Sequence, residues 1–297
     1  MASAITLLDG GMGRELERMG APFRQPEWSA LALIEEPDYV RWAHASFIGA
    51  GAEVITTNSY ALVPFHLGAE RFAMKGEQLA DLAGRLARQA ASEVDWPVTV
   101  AGGLPPLFGS YRPDLFDAKR APELIRPLIA GLSPHVDLWL AETQSSIAEV
   151  EAAAAALEGD ERPLWVSYTL RDEDYDAAPA LRSGEAVGAA ARAARRLGAR
   201  ALLFNCSQPE VIAPALAEAR RALADAPLPL GAYANAFPPT PKDARANDDL
   251  SPLRRDLDPP GYLSFARAWV KEGATLVGGC CGIGPEHIAE LKQALTG

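Results

Sequence analysis

The sequence contains little cysteine and no excess of positive charge. Its 297 residues include three cysteines and four histidines, and the net charge is −11. Three cysteines are too few to form a disulfide framework, and the acidic balance argues against nucleic acid or an anionic membrane surface as a partner. No apolar run approaches the roughly 18 residues of a membrane span, and the first residues lack a secretory pattern. We therefore expect a reduced, cytoplasmic protein.

Short apolar runs alternate with longer helical patterns along the whole chain, and eight such strand-then-helix units can be counted. Regular alternation of this kind favours a parallel sheet covered by helices. Eight units in a chain of this length predict a single (β/α)₈ TIM barrel, with residues 1–297 forming one domain. A doubly wound open sheet is the competing architecture, but it does not explain why every strand ends in polar or glycine-rich sequence.

Polar residues and glycines follow the predicted strands at their carboxyl ends. In a (β/α)₈ barrel these ends converge on one face, where the active site is built. The face is predicted to carry Asp9, Gly10, Asn58, Gly102, Glu142, Tyr168, Asn205, Cys206, Asn235, Cys280 and Cys281.

All three cysteines lie at strand-to-helix junctions. Cys280 and Cys281 follow the last strand in a glycine-rich turn, and Cys206 ends an earlier apolar run. Three thiolates with one open position match a catalytic zinc site. The alternative is that Cys206 is a small buried apolar residue and the adjacent pair merely fills a tight turn.

The charge of such a site indicates its chemistry. Zn²⁺ with three thiolates carries a net charge of about −1, whereas hydrolytic zinc sites keep neutral histidine ligands. An electron-rich site suits a thiol substrate, whose pKa falls while its sulfur stays nucleophilic. We therefore expect a metal-bound thiolate to attack an electrophilic carbon, with a cationic donor attracted by the anionic site and by aromatic faces.

With these motifs the sequence resembles the homocysteine S-methyltransferases over essentially its whole length. The cysteine motif with an upstream Asn-Cys pair is the specific signal. The matching segments are 8–16 (LDGGMGREL), 55–60 (ITTNSY), 141–143 (AET), 181–185 (LRSGE), 205–206 (NC), 278–282 (GGCCG) and 285–288 (PEHI). The resemblance implies a (β/α)₈ barrel, Zn²⁺ bound by Cys206, Cys280 and Cys281, and homocysteine as the methyl acceptor.

The resemblance also implies roles for other residues of the predicted face. Glu142 corresponds to the carboxylate that holds the homocysteine ammonium group. Asp9, Gly10 and Gly11 correspond to the loop that contacts the amino-acid end of homocysteine. Two further residues, Asn58 and Asn205, are expected to orient the substrate or the groups around it.

The methyl donor is left open by the sequence. The segment 181–185 is more similar to the branch of the family that uses sulfonium donors, so S-methylmethionine is favoured over S-adenosylmethionine and betaine. The predicted reaction gives methionine. The alternatives are a betaine-dependent or other-thiol methyltransferase, a barrel lyase or aldolase with incidental cysteines, and a non-catalytic barrel that binds zinc or thiols. An oligomer is compatible with the sequence, and the irregular stretch 236–260 is expected to lie over or beside the site as a wall or lid.

Overall fold

The computed structural model describes residues 4–238 and 253–296. Within them, eight short parallel strands form one sheet, as the alternating pattern predicts. The strands are β1 (Thr6–Leu7), β2 (Val54–Thr56), β3 (Thr99–Leu104), β4 (Leu138–Gln144), β5 (Leu164–Tyr168), β6 (Ala201–Asn205), β7 (Leu230–Tyr233) and β8 (Ala274–Val277).

The sheet closes on itself. Neighbouring strands follow the order β1-β8-β7-β6-β5-β4-β3-β2. The remaining seam, between β1 and β2, is joined by a parallel bridge from Leu8 to Val54 and by the Asp9 amide, which donates to the Val54 carbonyl at 3.0 Å. Closure removes the exposed strand edges and brings all eight carboxyl ends to one face. The predicted (β/α)₈ barrel is therefore confirmed.

Helices connect the strands and surround the barrel. The sequence pattern predicts one helix between β1 and β2, over about 38–50, whereas the structure has three. The helices among the described residues are α1 (Met12–Arg18), α2 (Ser29–Glu35), α3 (Pro37–Ala50), α4 (Pro64–Leu67), α5 (Ala69–Ser92), α6 (Ala121–Leu132), α7 (Ile147–Ala156), α8 (Val187–Arg196), α9 (Pro209–Ala222), α10 (Pro259–Lys271) and α11 (Pro285–Leu295). None of them combines the length and the apolar character needed to cross a bilayer.

The strands bury side chains on both faces. One face points into the barrel, where Leu138, Leu140 and Leu203 belong to a small apolar cluster. The other face packs against the helices in a much larger cluster that includes Trp139 and Phe204. Because alternate residues of a strand point to opposite faces, both faces of these short strands must be apolar, which is why they appear as continuous apolar runs.

The irregular stretch after β7 lies only partly within the described residues. Residues 239–252 are outside them, so the predicted wall or lid stays a prediction. The segment that begins at residue 253 is held in place by Arg254, whose guanidinium donates to Glu210 at 2.7 Å and to Gln208 at 2.8 Å. The Arg254 amide also donates to the Ala236 carbonyl at 2.8 Å, so the two ends of the stretch meet beside the mouth of the barrel.

His44 makes the stability of the fold sensitive to acid. It is fully buried in α3, its ring nitrogens have no hydrogen-bond partner among the described residues, and burial lowers its pKa from 6.5 to about 3. Below pH 6.5 the unfolded chain binds a proton that the folded chain does not, so stability is lost as the pH falls. Each pH unit in this window costs about 1.4 kcal/mol.

We predict that His44→Leu removes this sensitivity. From about pH 7 to about pH 5, the free energy of unfolding of the wild type should fall by about 2 kcal/mol more than that of the variant. Urea unfolding at several pH values measures the difference. His135→Gln is the control, because the His135 ring bonds to the partly exposed Asp81. Parallel pH profiles for the wild type and His44→Leu would contradict the prediction.

Candidate metal and substrate site

The three cysteine sulfurs meet at the mouth of the barrel. Cys206 follows β6, and Cys280 and Cys281 follow β8. The three Sγ atoms all lie within 4.8 Å of one another. Cys206 and Cys280 are in disulfide contact, whereas Cys281 is a free thiol whose sulfur is 4.0 Å from that of Cys280. Residues separated by 74 positions are thus brought together by the barrel.

The donor set fits zinc once the sulfurs are reduced. Tetrahedral zinc with Zn–S bonds of 2.3 Å separates its sulfur ligands by about 3.8 Å. The 4.0 Å between Cys280 and Cys281 agrees with that separation, and opening the Cys206–Cys280 contact would bring the third sulfur to it. Thiolates are the ligating form, so only the reduced cluster can bind the metal. This cluster is the one group of potential metal ligands found in the described part of the chain.

Asn205 supports the backbone that carries Cys206. Its side-chain oxygen accepts from the Ser167 hydroxyl at 2.7 Å and from the Thr143 amide at 3.2 Å. Its amide nitrogen donates to the Thr143 hydroxyl at 2.8 Å and lies 3.9 Å from the Cys280 sulfur. One buried side chain therefore ties β4, β5 and β6 together beside the thiols.

Backbone strain concentrates at this face. Thr143 has φ 57° and Cys206 has φ 48°, which is a left-handed conformation that non-glycine residues seldom adopt. Tyr111, in the loop after β3, has φ 62°. Such residues persist only where surrounding bonds hold them, and they cluster at functional sites. The Asn205 bonds to Thr143 supply that restraint here.

Gly10 and Gly11 pack directly against the cysteine turn. A Cβ on Gly11 would lie 2.6 Å from the Cys280 carbonyl, and one on Gly10 would collide with the Ile283 carbonyl. The Gly11 amide donates to the Ile283 carbonyl at 2.9 Å, so this amide is already engaged. Close packing alone thus requires both glycines, and their contact with substrate stays a prediction.

A buried carboxyl group, that of Asp9, and a half-buried one, that of Glu142, lie beside the thiols. The Asp9 carboxylate accepts from the Thr56 amide at 2.7 Å, and burial raises its pKa well above the usual value. Glu142, near the end of β4, has a pKa raised by burial to about 7, which the neighbouring Tyr233 hydroxyl opposes. The two groups repel each other, since Glu142 further raises the pKa of Asp9. A pair of this kind is stabilised by a cation between its members.

Tyrosines complete the wall of the site, and the sequence alone did not identify all of them. Tyr60 and Tyr111 are half-buried, and desolvation raises the pKa of each hydroxyl, with Cys281 and Glu142 close enough to add to the rise. Tyr60 is held by the Ser110 hydroxyl at 2.7 Å. The predicted face included Tyr168 instead, but that side chain points outward, where Glu149 and Glu185 are its charged neighbours. The sequence gives no sign that a non-glycine loop residue such as Tyr111 adopts a left-handed conformation.

Other predicted residues lie at the same face but have different contacts. Asn58 is buried at the end of β2, where its amide donates to the Ser29 carbonyl of α2 at 3.1 Å. Cys281 is the free thiol: burial raises its pKa to about 11, Glu142 adds to the rise, and Arg14 opposes it. The four histidines are outside the cluster of sulfurs.

A buried ion pair at the same face has no counterpart in the sequence analysis. Arg182, in the loop between β5 and α8, pairs with Asp172 at 2.8 Å, and the two side chains are 8% and 0% exposed. The Arg182 guanidinium lies 5.0 Å from the centre of the Tyr111 ring. The sequence analysis identifies segment 181–185 only through the family resemblance and gives Arg182 no partner, so only the folded chain reveals that its side chain is buried against Asp172.

Comparison with known proteins agrees with this architecture. The family model described as homocysteine S-methyltransferase matches residues 6–295. A homocysteine S-methyltransferase of Escherichia coli (strain K12) is 31% identical over 314 residues, which cover 97% of this chain and 94% of that protein.

Solved structures agree as well. The metallated form of the homocysteine methyltransferase MmuM from Escherichia coli superposes with a TM-score of 0.78 at 28% identity, covering 97% of this chain and 96% of that one. The oxidised form of the same protein gives a TM-score of 0.79 at 27% identity, covering 97% and 95%. The match over residues 6–295 confirms the resemblance found in the sequence, and the chain belongs to the homocysteine S-methyltransferase family.

Proposed function

We propose that this enzyme transfers a methyl group from a sulfonium donor to the sulfur of homocysteine, giving methionine. S-methylmethionine is the proposed donor, with S-adenosylmethionine as a substitute. Zn²⁺ held by Cys206, Cys280 and Cys281 is the proposed cofactor. The observation that carries the proposal is the cluster of three sulfurs within 4.8 Å at the mouth of the barrel, beside the carboxyl groups of Asp9 and Glu142.

The sulfur cluster supports a metal that activates a thiol. Zinc, when bound by these three cysteines, would lower the pKa of the homocysteine thiol and keep its sulfur available as a nucleophile. The metallated form of the Escherichia coli neighbour supports metal use in this family. The disulfide contact between Cys206 and Cys280 indicates that the site must be reduced before it can bind metal.

The buried carboxyl groups support recognition of an amino acid. Asp9 and Glu142 lie close enough to repel each other, so keeping both as buried carboxylates is costly unless a cation lies between them. The ammonium group of homocysteine supplies that cation and would return Glu142 to its ionised form. We therefore infer that Glu142, together with Asp9, holds the amino end of homocysteine while its sulfur faces the cysteine cluster.

The surroundings of the site favour transfer of a methyl group from a cationic sulfonium to an anionic thiolate. In the reaction the methyl–sulfonium bond breaks, a bond from the methyl carbon to the homocysteine sulfur forms, and the donor leaves as a neutral thioether. Because a thiolate and a sulfonium neutralise each other, a site poor in water favours the transfer. The buried ring of Tyr233 and the half-buried rings of Tyr60 and Tyr111 would limit the access of water, and their faces attract a cationic donor.

We predict that Cys281→Ser loses both metal and activity. The wild type, reduced and dialysed against zinc, should retain about one Zn²⁺ per chain, as a three-thiolate site requires. The variant should retain much less, because a serine hydroxyl is a poor zinc ligand at neutral pH. Elemental analysis measures the metal, and methionine formation from homocysteine and S-methylmethionine measures turnover.

Untreated wild-type protein is the control for the oxidation state. Protein kept in disulfide form should bind little zinc and regain binding after reduction, whereas Cys281→Ser should not recover. Circular dichroism and thermal unfolding establish that the variant is folded. A reduced wild type that remains free of zinc would refute the proposed cofactor. Parallel assays with S-adenosylmethionine and betaine identify the donor.

We predict that Glu142→Gln raises the KM for homocysteine by about 10-fold to 100-fold, because a charge-assisted bond to the ammonium group is lost. The zinc content should stay unchanged, since the three cysteines are intact. Steady-state kinetics with homocysteine varied at a saturating donor concentration measures the effect.

Glu149→Gln is the matched control for this variant. The pKa of Glu149 is also raised by burial to about 7, but its carboxylate accepts from the Ser145 and Ser146 amides and caps α7. Its loss should lower the free energy of unfolding by about 1 kcal/mol and leave the KM for homocysteine unaltered. Equal effects of the two substitutions on KM would show that Glu142 has no special role.

A further inference from the structure

The Arg182–Asp172 ion pair is buried at the carboxyl-end face of the barrel, where it joins the two sides of the loop between β5 and α8. The Asp172 carboxylate is held by the Gln208 amide at 3.1 Å and by the Arg182 Nη1 atom at 2.8 Å. Burying two charges is costly, and a buried pair contributes little net stability. The pair therefore invites a functional explanation.

Arg182 has hydrogen-bonding capacity left over. Its Nε and Nη2 atoms are buried, and neither has a hydrogen-bond partner among residues 4–238 and 253–296. Buried donors of a charged group are almost always satisfied in native proteins. These two atoms form one edge of the guanidinium, which is the edge that binds both oxygens of a carboxylate. Asp172, by pairing with Nη1, leaves this edge free.

Tyr111 connects this edge to the thiols. The Arg182 guanidinium is stacked 5.0 Å from the centre of the Tyr111 ring. The Tyr111 hydroxyl in turn lies close enough to Cys281 and Glu142 for both to raise its pKa. The left-handed backbone at Tyr111, φ 62°, is typical of residues held for function. The Tyr111 side chain therefore contacts the Arg182 guanidinium and also lies near Cys281, one of the proposed zinc ligands.

We propose that Arg182 binds the carboxylate of the methyl donor and makes the enzyme selective for donors that carry one. This inference rests on the proposed function, and it adds a binding residue for the second substrate. S-methylmethionine carries its carboxylate several bonds from the sulfonium. When its methyl group lies beside the thiols, its carboxylate lies away from them, and we assign that carboxylate to Arg182.

The position of Arg182 favours the donor over homocysteine. The proposed ammonium site consists of Asp9, which follows β1, and Glu142, which lies in β4, and the carboxylate of homocysteine is attached to the same carbon as that ammonium group. Arg182 comes from the loop after β5, and its guanidinium contacts Asp172 and the ring of Tyr111. The two amino-acid ends thus have separate binding groups.

The test compares donors with and without a carboxylate in the zinc-loaded enzyme. Arg182→Met keeps an unbranched apolar chain but removes the fork, and the double variant Arg182→Met/Asp172→Asn also removes the carboxylate that would otherwise be left unpaired. The probes are S-methylmethionine and trimethylsulfonium, which has no carboxylate. We expect the KM for S-methylmethionine to rise by about 10-fold to 100-fold in both variants. The KM for homocysteine and the rate with trimethylsulfonium should change by less than about twofold.

Arg162→Met is the matched control. Arg162 is also paired with an aspartate, Asp160, and stacked on an aromatic ring, Trp139 at 4.8 Å, but it precedes β5 at the other end of the barrel. Its substitution should leave both KM values unaltered. Arg182→Lys should give an intermediate KM for S-methylmethionine, because it keeps the charge and loses the fork.

The outcomes separate this inference from the proposed function. If the wild type turns over and the KM for S-methylmethionine is unchanged in both variants, Arg182 does not bind the donor, and the proposed function stands. A raised KM for homocysteine instead would assign the arginine to the acceptor and overturn the inference. If the wild type transfers no methyl group from any donor, the proposed function fails. Calorimetric titration of S-methylmethionine and trimethylsulfonium into wild type and Arg182→Met then decides the inference without turnover: only a loss of affinity confined to S-methylmethionine supports it.

Discussion

The site depends on the close backbone contact between the loop after β1 and the turn after β8. The Gly279 amide donates to the Asp9 carbonyl at 2.9 Å, and the Gly11 amide donates to the Ile283 carbonyl at 2.9 Å. A Cβ on Gly278 would lie 2.5 Å from the Leu8 Cβ, so only glycine permits this approach. The contact joins the first and last strands and sets Cys280 and Cys281 next to Asp9. Barrel closure and the assembly of the site are therefore the same event.

The site combines several acidic groups in a small volume. The thiols, Asp9 and Glu142 are all acidic groups in a buried setting, and burial raises the pKa of each carboxyl group and of the Cys281 thiol. A site of this kind is poorly suited to an anionic substrate and well suited to positive charge. A metal dication, an ammonium group and a sulfonium each relieve part of the repulsion. The cofactor and substrates proposed for the enzyme thus each carry the positive charge that this site favours.

Much of the fold was predictable because its signals are local. The pattern predicts a strand over 230–233 and a helix over about 121–132, and the structure has both, as β7 and α6. The predicted end of β3 is wrong: the pattern predicts a strand over 98–100, whereas the strand runs from Thr99 to Leu104. Pairing of Ala101–Leu104 with β4 overrides the weak strand preference of glycine, and a Cβ at Gly102 would lie 2.8 Å from the Trp139 ring. The short helices α1 and α2 were missed because their seven residues carry too little periodicity.

The sequence by itself determined the barrel, the family and the residue types of the site, because strand periodicity and the cysteine motif are properties of neighbouring residues. It also indicated the face on which Glu142, Asn205 and the cysteines meet, since strand order in a barrel follows chain order. Only the tertiary structure decided which side chains turn inward. Tyr168 faces the helices, the Gly11 amide is engaged, and Arg182 is buried against Tyr111. These facts depend on packing between loops that are distant in the chain, and no local pattern encodes such contacts.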